Sequence, residues 1–376
     1  MRGLRVLFDG EGFLSPFGGV PQAFAEMICR LPEGIEPILA MKRTCNRRLQ
    51  TAPFCIPGYP DQYHSFISPA EFRGKWRLWR LAQKLFPKRF PDYEAENSRY
   101  LDELLEKGEF DVLHLTGAHV YGEAWRKVVG KKPIVITVHD LIPEILNHDA
   151  RITAFRRELL GVADQVIAVS ENTKRDLMRL YGVDEKKVTV VYHGVGKVER
   201  VERVEGVEKE YFLFLGGRSG YKNWDWMVRA MAPMLKGGMN LVCTGHPFSG
   251  EERRFLRSLG VEERVVQRTV CADDFPALYA SATAFVYPSR YEGFGLPILD
   301  AWAAGCPVVL SRASCFPEIG GDAAEYFELD DAKSLVAAIE RAKEGRTVEK
   351  GRQRLKDFSW KKCAAKTAAV YRKVAG

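Results

Sequence analysis

Short runs of β-branched and apolar residues alternate along the chain with stretches whose apolar positions recur at helical spacing. A parallel sheet with crossover helices is written in sequence in this way. In the first half the strand candidates are Leu4–Phe8, Val112–Leu115, Ile134–Val138 and 165–169. Each is continuous rather than alternating, as strands buried on both faces require. In the second half 211–215, 239–243, Ala284–Tyr287 and 307–310 repeat the series, which starts afresh near Tyr211. Two Rossmann-like units follow from this. Residues 1–195 form the first domain and 211–356 the second. Between them 196–210 alternates valine with charge and has no aromatic residue, as suits an exposed linker. Residues 357–376 close the chain as a helix, with Trp360, Ala364, Ala368 and Tyr371 at helical spacing. This helix is expected to pack back toward the N-terminal domain.

Composition agrees with this organisation and removes some classes. A chain of 376 residues is long for one core. Its 46% apolar and 28% charged residues exclude a disordered or fibrous protein. No apolar run approaches the ~18–20 residues that cross a bilayer. The start, Met-Arg-Gly-Leu-Arg-Val-Leu-Phe-Asp, meets a charge too early for a secretory signal and reads as the first buried strand. Eight cysteines lie scattered without Cys-x-x-Cys spacing, so free thiols in a reducing cytoplasm are expected. A net charge of +7 singles out no partner by itself.

The chemistry concentrates after the strand candidate Ala284–Tyr287, in Tyr287-Pro-Ser-Arg-Tyr-Glu-Gly-Phe-Gly-Leu-Pro-Ile-Leu-Asp300. Gly293 and Gly295 make a turn that lets a ligand approach the backbone. Pro297 suits the first position of a helix. The N–H groups near Gly295, Leu296 and Ile298 then form a phosphate site at a helix N-terminus. Glu292 before it and Asp300 beyond it would repel phosphate unless each has a hydroxyl-rich partner, and a sugar and a ribose meet that need. The plainer alternative is a glycine-rich strand–helix turn, with Glu292 solvated and Asp300 favoured by the helix dipole. Arg218 and Lys222 follow another buried strand; they either clamp a diphosphate or are two solvated cations. Gly18-Gly19-Val20 precedes a helix and again permits close approach of phosphate. Gly10 and Gly12 make a poor dinucleotide fingerprint, which excludes a nicotinamide dehydrogenase on this motif. His139 closes a strand at the carboxyl edge, where open α/β sheets bind ligands. Ser170 suits the N-cap of the helix that follows it.

The segment 287–309 resembles the donor-binding acid–seven residues–acid signature of retaining glycosyltransferases of family 4. Tyr211-Phe-Leu-Phe-Leu-Gly-Gly-Arg-Ser-Gly-Tyr-Lys-Asn223 is similar to that family's phosphate loop, and Ala323, Ala324 and Tyr326 match its run after the nucleotide site. Thr137-Val-His-Asp-Leu-Ile-Pro-Glu144, Ala168-Val-Ser-Glu-Asn-Thr-Lys174 and Tyr192-His-Gly-Val195 are similar to segments of its first half. The resemblance implies a GT-B α/β fold, two Rossmann-like domains with parallel sheets facing a central cleft. It further implies that Glu292, His139, Arg218 and Lys222 are catalytic. Gly19, Gly293, Phe294, Gly295, Leu296 and Asp300 would bind the donor. Neither a metal nor a cofactor is expected, the nucleoside-diphosphate sugar being a co-substrate. The family's second acid is commonly Glu; Asp300 is one methylene shorter, so its reach to a ribose is looser or bridged by water.

The expected activity is retaining transfer of a hexose, mannose first, to a saccharide or lipid-linked saccharide acceptor. The alternatives are a sugar-nucleotide epimerase of the same architecture and a non-catalytic saccharide- or nucleotide-binding subunit. From 72 to 89 the chain carries seven Lys or Arg residues and no acid. On a helix Leu78, Leu81, Ala82, Leu85 and Phe86 share one face, and Arg77, Arg80, Lys84 and Lys88 another. That pattern suits either an amphipathic helix on the inner face of an anionic membrane or a helix packed on the first domain. Nucleic acid is not an expected partner, since no binding module accompanies the charge.

Overall fold

A computed structural model describes residues 2–13, 18–51, 53–59, 62–67, 74–117, 124–196, 210–270 and 274–376. The linker positions 197–209 lie outside the described residues, as do 14–17 and the first two positions of the basic segment. The chain divides into two compact units. The first takes Met1–Val169, Lys174–Val191 and Trp360–Gly376; the second takes Ser170–Thr173 and Tyr192–Ser359. The division therefore falls a few residues before 195, and a four-residue piece of the first half belongs with the second unit.

The first unit has six strands: β1 Leu4–Phe8, β2 Ile35–Leu39, β3 Val112–Leu115, β4 Ile134–Val138, β5 Gln165–Ala168 and β6 Val188–Val190. Their order is β2-β1-β3-β4-β5-β6, and every pair is parallel. Leu7, Leu113, Ile136 and Val166 are buried with Leu105, Leu159 and Leu177 from the crossover helices. The second unit repeats the scheme with β7 Tyr211–Phe214, β8 Asn240–Thr244, β9 Val265–Arg268, β10 Ala284–Tyr287, β11 Val308–Ser311 and β12 Glu325–Phe327. The order here is β12-β11-β10-β7-β8-β9, again all parallel. Phe212, Phe214, Leu241 and Val286 pack against Trp224, Met227, Met231 and Ile339.

Each strand of a parallel pair needs a crossover, and strand order reverses once in each sheet. In the first sheet the reversal lies between β1 and β3, in the second between β7 and β10. Loops leaving the carboxyl ends of those strands part in opposite directions, and the crevice they leave is where open α/β sheets bind ligands.

The helix Trp360–Ala375 belongs to the first unit. Its Tyr371 is fully buried beside Phe8, and the tyrosine hydroxyl lies 2.6 Å from Nδ1 of His114 on β3. His114 Nε2 lies 2.8 Å from the Thr137 hydroxyl on β4, so both ring nitrogens are satisfied without water. Burial first, and then the neighbouring His139, push the His114 pKa down to about 3, which keeps the ring neutral. The seven described cysteines are free. Among the described residues no helix is long and apolar enough to cross a membrane.

Replacing Tyr371 by Phe leaves His114 Nδ1 buried without its partner. The expected cost is about 1–3 kcal/mol in the unfolding free energy of the first unit, read by urea titration. An unchanged midpoint would show that the contact holds nothing in place.

Candidate functional site

In the second unit the strand-order reversal brings together side chains 70 residues apart in sequence. After β7 a 3-10 turn, Gly220–Lys222, ends at Asn223, which sits in the left-handed region at φ 58° and starts the helix Trp224–Lys236. Asparagine tolerates that conformation better than other residues with a side chain. The turn carries Lys222 toward the end of β10. There its ammonium donates to Glu292 Oε1 at 2.6 Å and to the Tyr287 hydroxyl at 3.3 Å. Both partners of the ion pair are mostly buried, with side-chain exposures of 17% and 11%. The Glu292 N–H donates to the Ser314 hydroxyl at 3.0 Å, which fixes the carboxylate from the side of β11. Burial and the adjacent Glu292 together raise the Tyr287 pKa, so its hydroxyl stays protonated.

Gly295 follows at φ 91° as the N-cap of the helix Leu296–Ala303. A Cβ there would stand 3.0 Å from Ile298 Cδ1 and 3.2 Å from Phe316, so both backbone angle and space ask for glycine. Pro297 lies in the first turn. The Ile298 N–H bonds back to the Gly295 carbonyl at 2.9 Å. Sequence spacing assigned that N–H to a ligand; the tightened first turn uses it internally, which leaves the N–H groups of Gly295 and Leu296 for the site. The Gly293 carbonyl is held by the buried Ser170 hydroxyl at 2.7 Å, and Ser170 also accepts the Thr173 N–H at 3.0 Å. Ser170 is thus both a helix cap and a clamp on the glycine turn. Glu318 completes the clamp by accepting the N–H groups of Glu171 and Asn172 at 2.7 and 2.9 Å.

Three of the expected site residues, the donor-binding Phe294 and Asp300 and the catalytic Arg218, have surroundings that the sequence did not show. The Phe294 side chain is buried among Tyr192, His193 and Phe358, with its ring centroid 4.9 Å from that of His193. Only its backbone faces the turn. Arg218 stays at the end of β7 but turns to Glu252, 2.6 Å from Nε, and to the carbonyls of Thr244 and His246. Lys222 and Glu292 are brought together; Arg218 is held apart from them with its fork occupied. Asp300, one turn into the helix, is partly buried without a hydrogen-bond or ion-pair partner among the described residues, and desolvation raises its pKa to about 6.

The first unit has its own crevice at the reversal between β1 and β3. Asp9, at the end of β1, accepts the N–H of Thr116 at 3.1 Å and its hydroxyl as well, bridging the two strand ends. Burial raises the Asp9 pKa to about 6 against the lowering effect of those bonds. Gly12 donates to the Thr116 hydroxyl at 2.7 Å, and a Cβ on it would stand 2.7 Å from the Phe24 ring. A cavity of about 430 Å³ opens here, lined by Glu11, Thr116, Thr137, His139, Asp140 and Arg156 among others. His139 packs edge-on to Phe24 at 5.1 Å, and burial first, then Arg156, pushes its pKa down to about 3. Arg156 is itself balanced by Glu144 at 3.1 Å, and Tyr181 donates to the same carboxylate oxygen at 2.7 Å. The helix Gly19–Ile28 takes in Gly19 and Val20, which the sequence placed before it, and its Val20 and Pro21 border the cavity. Asp140 accepts the Ile142 N–H at 3.1 Å and shapes the following turn.

Sequence reasoning passed over Asp9, Thr116, Glu144 and Arg156 here, and Tyr287 and Ser314 in the second unit. An acid at the end of a buried strand was a readable signal for Asp9. The others sit together only after folding. Among the described residues no group of three or more His, Cys, Asp or Glu is arranged to hold a metal ion.

Two parallel α/β units, each with one reversal of strand order, have the GT-B fold. Residues 209–344 match the family model described as Glycosyl transferases group 1, and residues 54–196 the model described as Glycosyltransferase Family 4. The chain belongs to this glycosyltransferase family, the two matches between them covering most of it. It is 29% identical over 230 residues to the O-antigen chain mannosyltransferase RfbU of Salmonella typhimurium, covering 56% of this chain and 65% of that protein. A match to O-antigen chain mannosyltransferase B of Escherichia coli, also 29% identical, covers 57% and 62%. The chain thus spans somewhat less than two thirds of the length of these two relatives. An MMP alpha-(1->4)-mannosyltransferase of Mycolicibacterium hassiacum is 26% identical with 91% and 88% covered. Among solved structures, Anabaena HepE in complex with UDP and glucose is similar in fold, with a TM-score of 0.70 at 17% identity and 98% and 100% covered.

Asp300→Asn separates binding from stability. The folded pKa of about 6 lies above the ordinary 3.8, so the ionised carboxylate destabilises the fold above pH 6. That cost vanishes once pH falls below 3.8 and both states are protonated. The variant is therefore expected to gain up to ~3 kcal/mol at pH 7.5, a gain that fades toward pH 4, while its donor affinity falls. Differential scanning calorimetry across pH checks it; a loss of stability at pH 7.5 would contradict an unpartnered carboxylate.

Proposed function

We propose that the chain transfers a hexose, mannose first, from a nucleoside-diphosphate sugar to a saccharide or lipid-linked saccharide acceptor, with retention of anomeric configuration. The observation that carries this reading is the Lys222–Glu292 pair at the β7/β10 reversal, 2.6 Å apart and mostly buried beside the open N–H groups of Gly295 and Leu296. Without donor the two charges neutralise one another. A bound diphosphate takes the Lys222 ammonium and the helix N-terminus, which frees Glu292 to accept hydroxyls of the sugar. Asp300 receives the ribose hydroxyls from one turn along the helix. Arg218 joins the diphosphate on exchanging Glu252 for it.

As the bond from the anomeric carbon to the phosphate oxygen breaks, negative charge grows on the leaving diphosphate. Lys222 and the fixed N–H dipoles are aimed at that charge in a site of low dielectric. The leaving phosphate takes the acceptor's proton. In the first unit neutral His139, Glu11 and Thr116 offer hydrogen bonds to hydroxyl groups in the cavity, and Arg156 adds no net charge because Glu144 balances it. Retention rests on the resemblance to family 4, and mannose on relatives named mannosyltransferases.

Thermal stabilisation by a panel of sugar nucleotides identifies the donor, since a ligand that binds the folded state raises its stability. GDP-mannose is expected to give the largest shift. Glu292→Ala and Lys222→Ala each should lower turnover at least about a hundredfold while leaving the circular dichroism spectrum unchanged. Wild-type turnover in both would refute the site. Donor incubated without acceptor should return unaltered; an epimerised sugar nucleotide would overturn transfer.

His139 gives a separate reading. With a pKa near 3 it stays neutral through the physiological range. His139→Gln, which keeps a hydrogen-bonding group, should retain more activity than His139→Ala. Neither is expected to move the acid limb of the activity profile between pH 5 and 8, and a shifted limb would assign His139 a proton-transfer role.

A further inference from the structure

The helix Lys75–Leu85 in the first unit sits on the molecule by an aromatic seat rather than by its leucines. Trp79 points inward, its ring centroid 5.2 Å from that of Phe66, 5.5 Å from Phe90 and 6.2 Å from Tyr63. Lys75 is buried on the same side, its ammonium 5.0 Å from the Tyr63 ring centroid. At 3.6 residues per turn, Leu78, Leu81 and Leu85 form a separate stripe. They are 45%, 50% and 60% exposed, and Phe86, where the chain leaves the helix, is 58% exposed. Of the eight large hydrophobic side chains exposed among the described residues, six fall within 67–86. The leucines are thus not the face that packs on the unit.

Arg77, Arg80 and Lys84 form a second stripe about a quarter-turn around the helix from the leucines. Arg80 is tied to Asp92 at 2.7 Å and lies over the Trp76 ring at 5.8 Å. Arg77, Lys84 and the following Lys88 are exposed and have no ion-pair partner among the described residues. No acid occurs from 72 to 89. A helix lying flat in a bilayer interface buries an apolar stripe ~5–10 Å below the headgroups and holds cations a quarter-turn away at headgroup level. Anionic headgroups match these cations, and a fluid bilayer accepts a narrow stripe without a preformed groove. A stable protein partner would ask for about 20–30 residues a side, far more than this one helix presents.

We propose that Leu78, Leu81, Leu85 and Phe86, flanked by Arg77, Lys84 and Lys88, dock the protein on an anionic lipid bilayer. The docking is peripheral and reversible, and it places the first unit at the surface where lipid-borne molecules are displayed. The inference stands independently of the transfer reading, because lipid binding is measured without donor or acceptor.

The test is flotation of the full chain with phosphatidylcholine vesicles, with and without phosphatidylglycerol, at low and high salt. Binding is expected on the anionic vesicles only, weakened by salt. Two variants separate the contributions: Leu78→Gln with Leu81→Gln and Leu85→Gln, and Arg77→Glu with Lys84→Glu and Lys88→Glu. Each should lower partitioning at least about tenfold, since each cation near the surface and each buried apolar group adds to binding. The residues altered are solvent-exposed, and melting temperatures verify that each variant is folded. If one variant melts early, the other still decides. Equal binding to both vesicle types, unchanged binding in the folded variants, or a concentration-dependent dimer abolished by the leucine variant would each overturn the proposal. The last outcome would make a second copy of the chain the occupant of the stripe.

Discussion

Parallel strand pairing governs everything else in this chain. A parallel neighbour cannot be reached by a tight turn, so each strand hands on to a crossover helix, and both faces of each sheet are covered. Where strand order reverses, two adjacent strands send their loops to opposite sides and a crevice is left between them. In the second unit the crevice lies between β7 and β10, and Lys222 and Glu292 meet there. In the first it lies between β1 and β3, where Asp9 and Thr116 join the strand ends beside the cavity. The chemistry of both units is a consequence of topology before it is one of side chains.

The carboxylates at these crevices fall into two kinds. Glu292 and Glu144 are buried with a cation, and Glu252 with Arg218, so their charge is balanced within the folded chain. Asp300 is partly buried with no such balance and Asp9 partly buried with hydroxyl and N–H donors alone, and desolvation raises the pKa of each to about 6. A buried acid without a counter-charge destabilises the fold at neutral pH. On the proposed function Asp300 receives a ribose, and hydroxyls bound there would offset that cost.

Eight strands were legible because each is a mostly apolar run, and these eight are the interior strands of the two sheets. The four that were not, β2, β6, β9 and β12, are the sheet edges. An edge strand is covered less completely, so β2 tolerates Pro37 and β9 alternates buried and exposed positions. Within the site, the glycine turn, the proline-led helix and Glu292 were legible because each is a local requirement of backbone geometry or charge. The inward turn of the Ile298 N–H, the burial of Phe294 and the capture of Arg218 by Glu252 were not, because each depends on a partner supplied from elsewhere. The exposed leucines of Lys75–Leu85 belong to the same group: periodicity found an apolar stripe, and only Trp79 and its aromatic neighbours show which side of the helix faces inward.

By itself the sequence determined the alternation of strands and helices, the restart near Tyr211, and the family to which its motifs belong. Those properties are written in runs of neighbouring residues, where burial on both faces and the demands of a tight turn leave few choices of residue type. The tertiary structure alone decided which charges meet. Lys222 pairs with Glu292 and Arg218 with Glu252 because strand order, not proximity in the chain, sets the distance between loop ends. For the last helix, expected from sequence to pack toward the N-terminal domain, it decided the contact that does so, Tyr371 with His114. Contacts made across 34, 70 or 257 residues leave no periodic trace, since each partner satisfies only its own local rules.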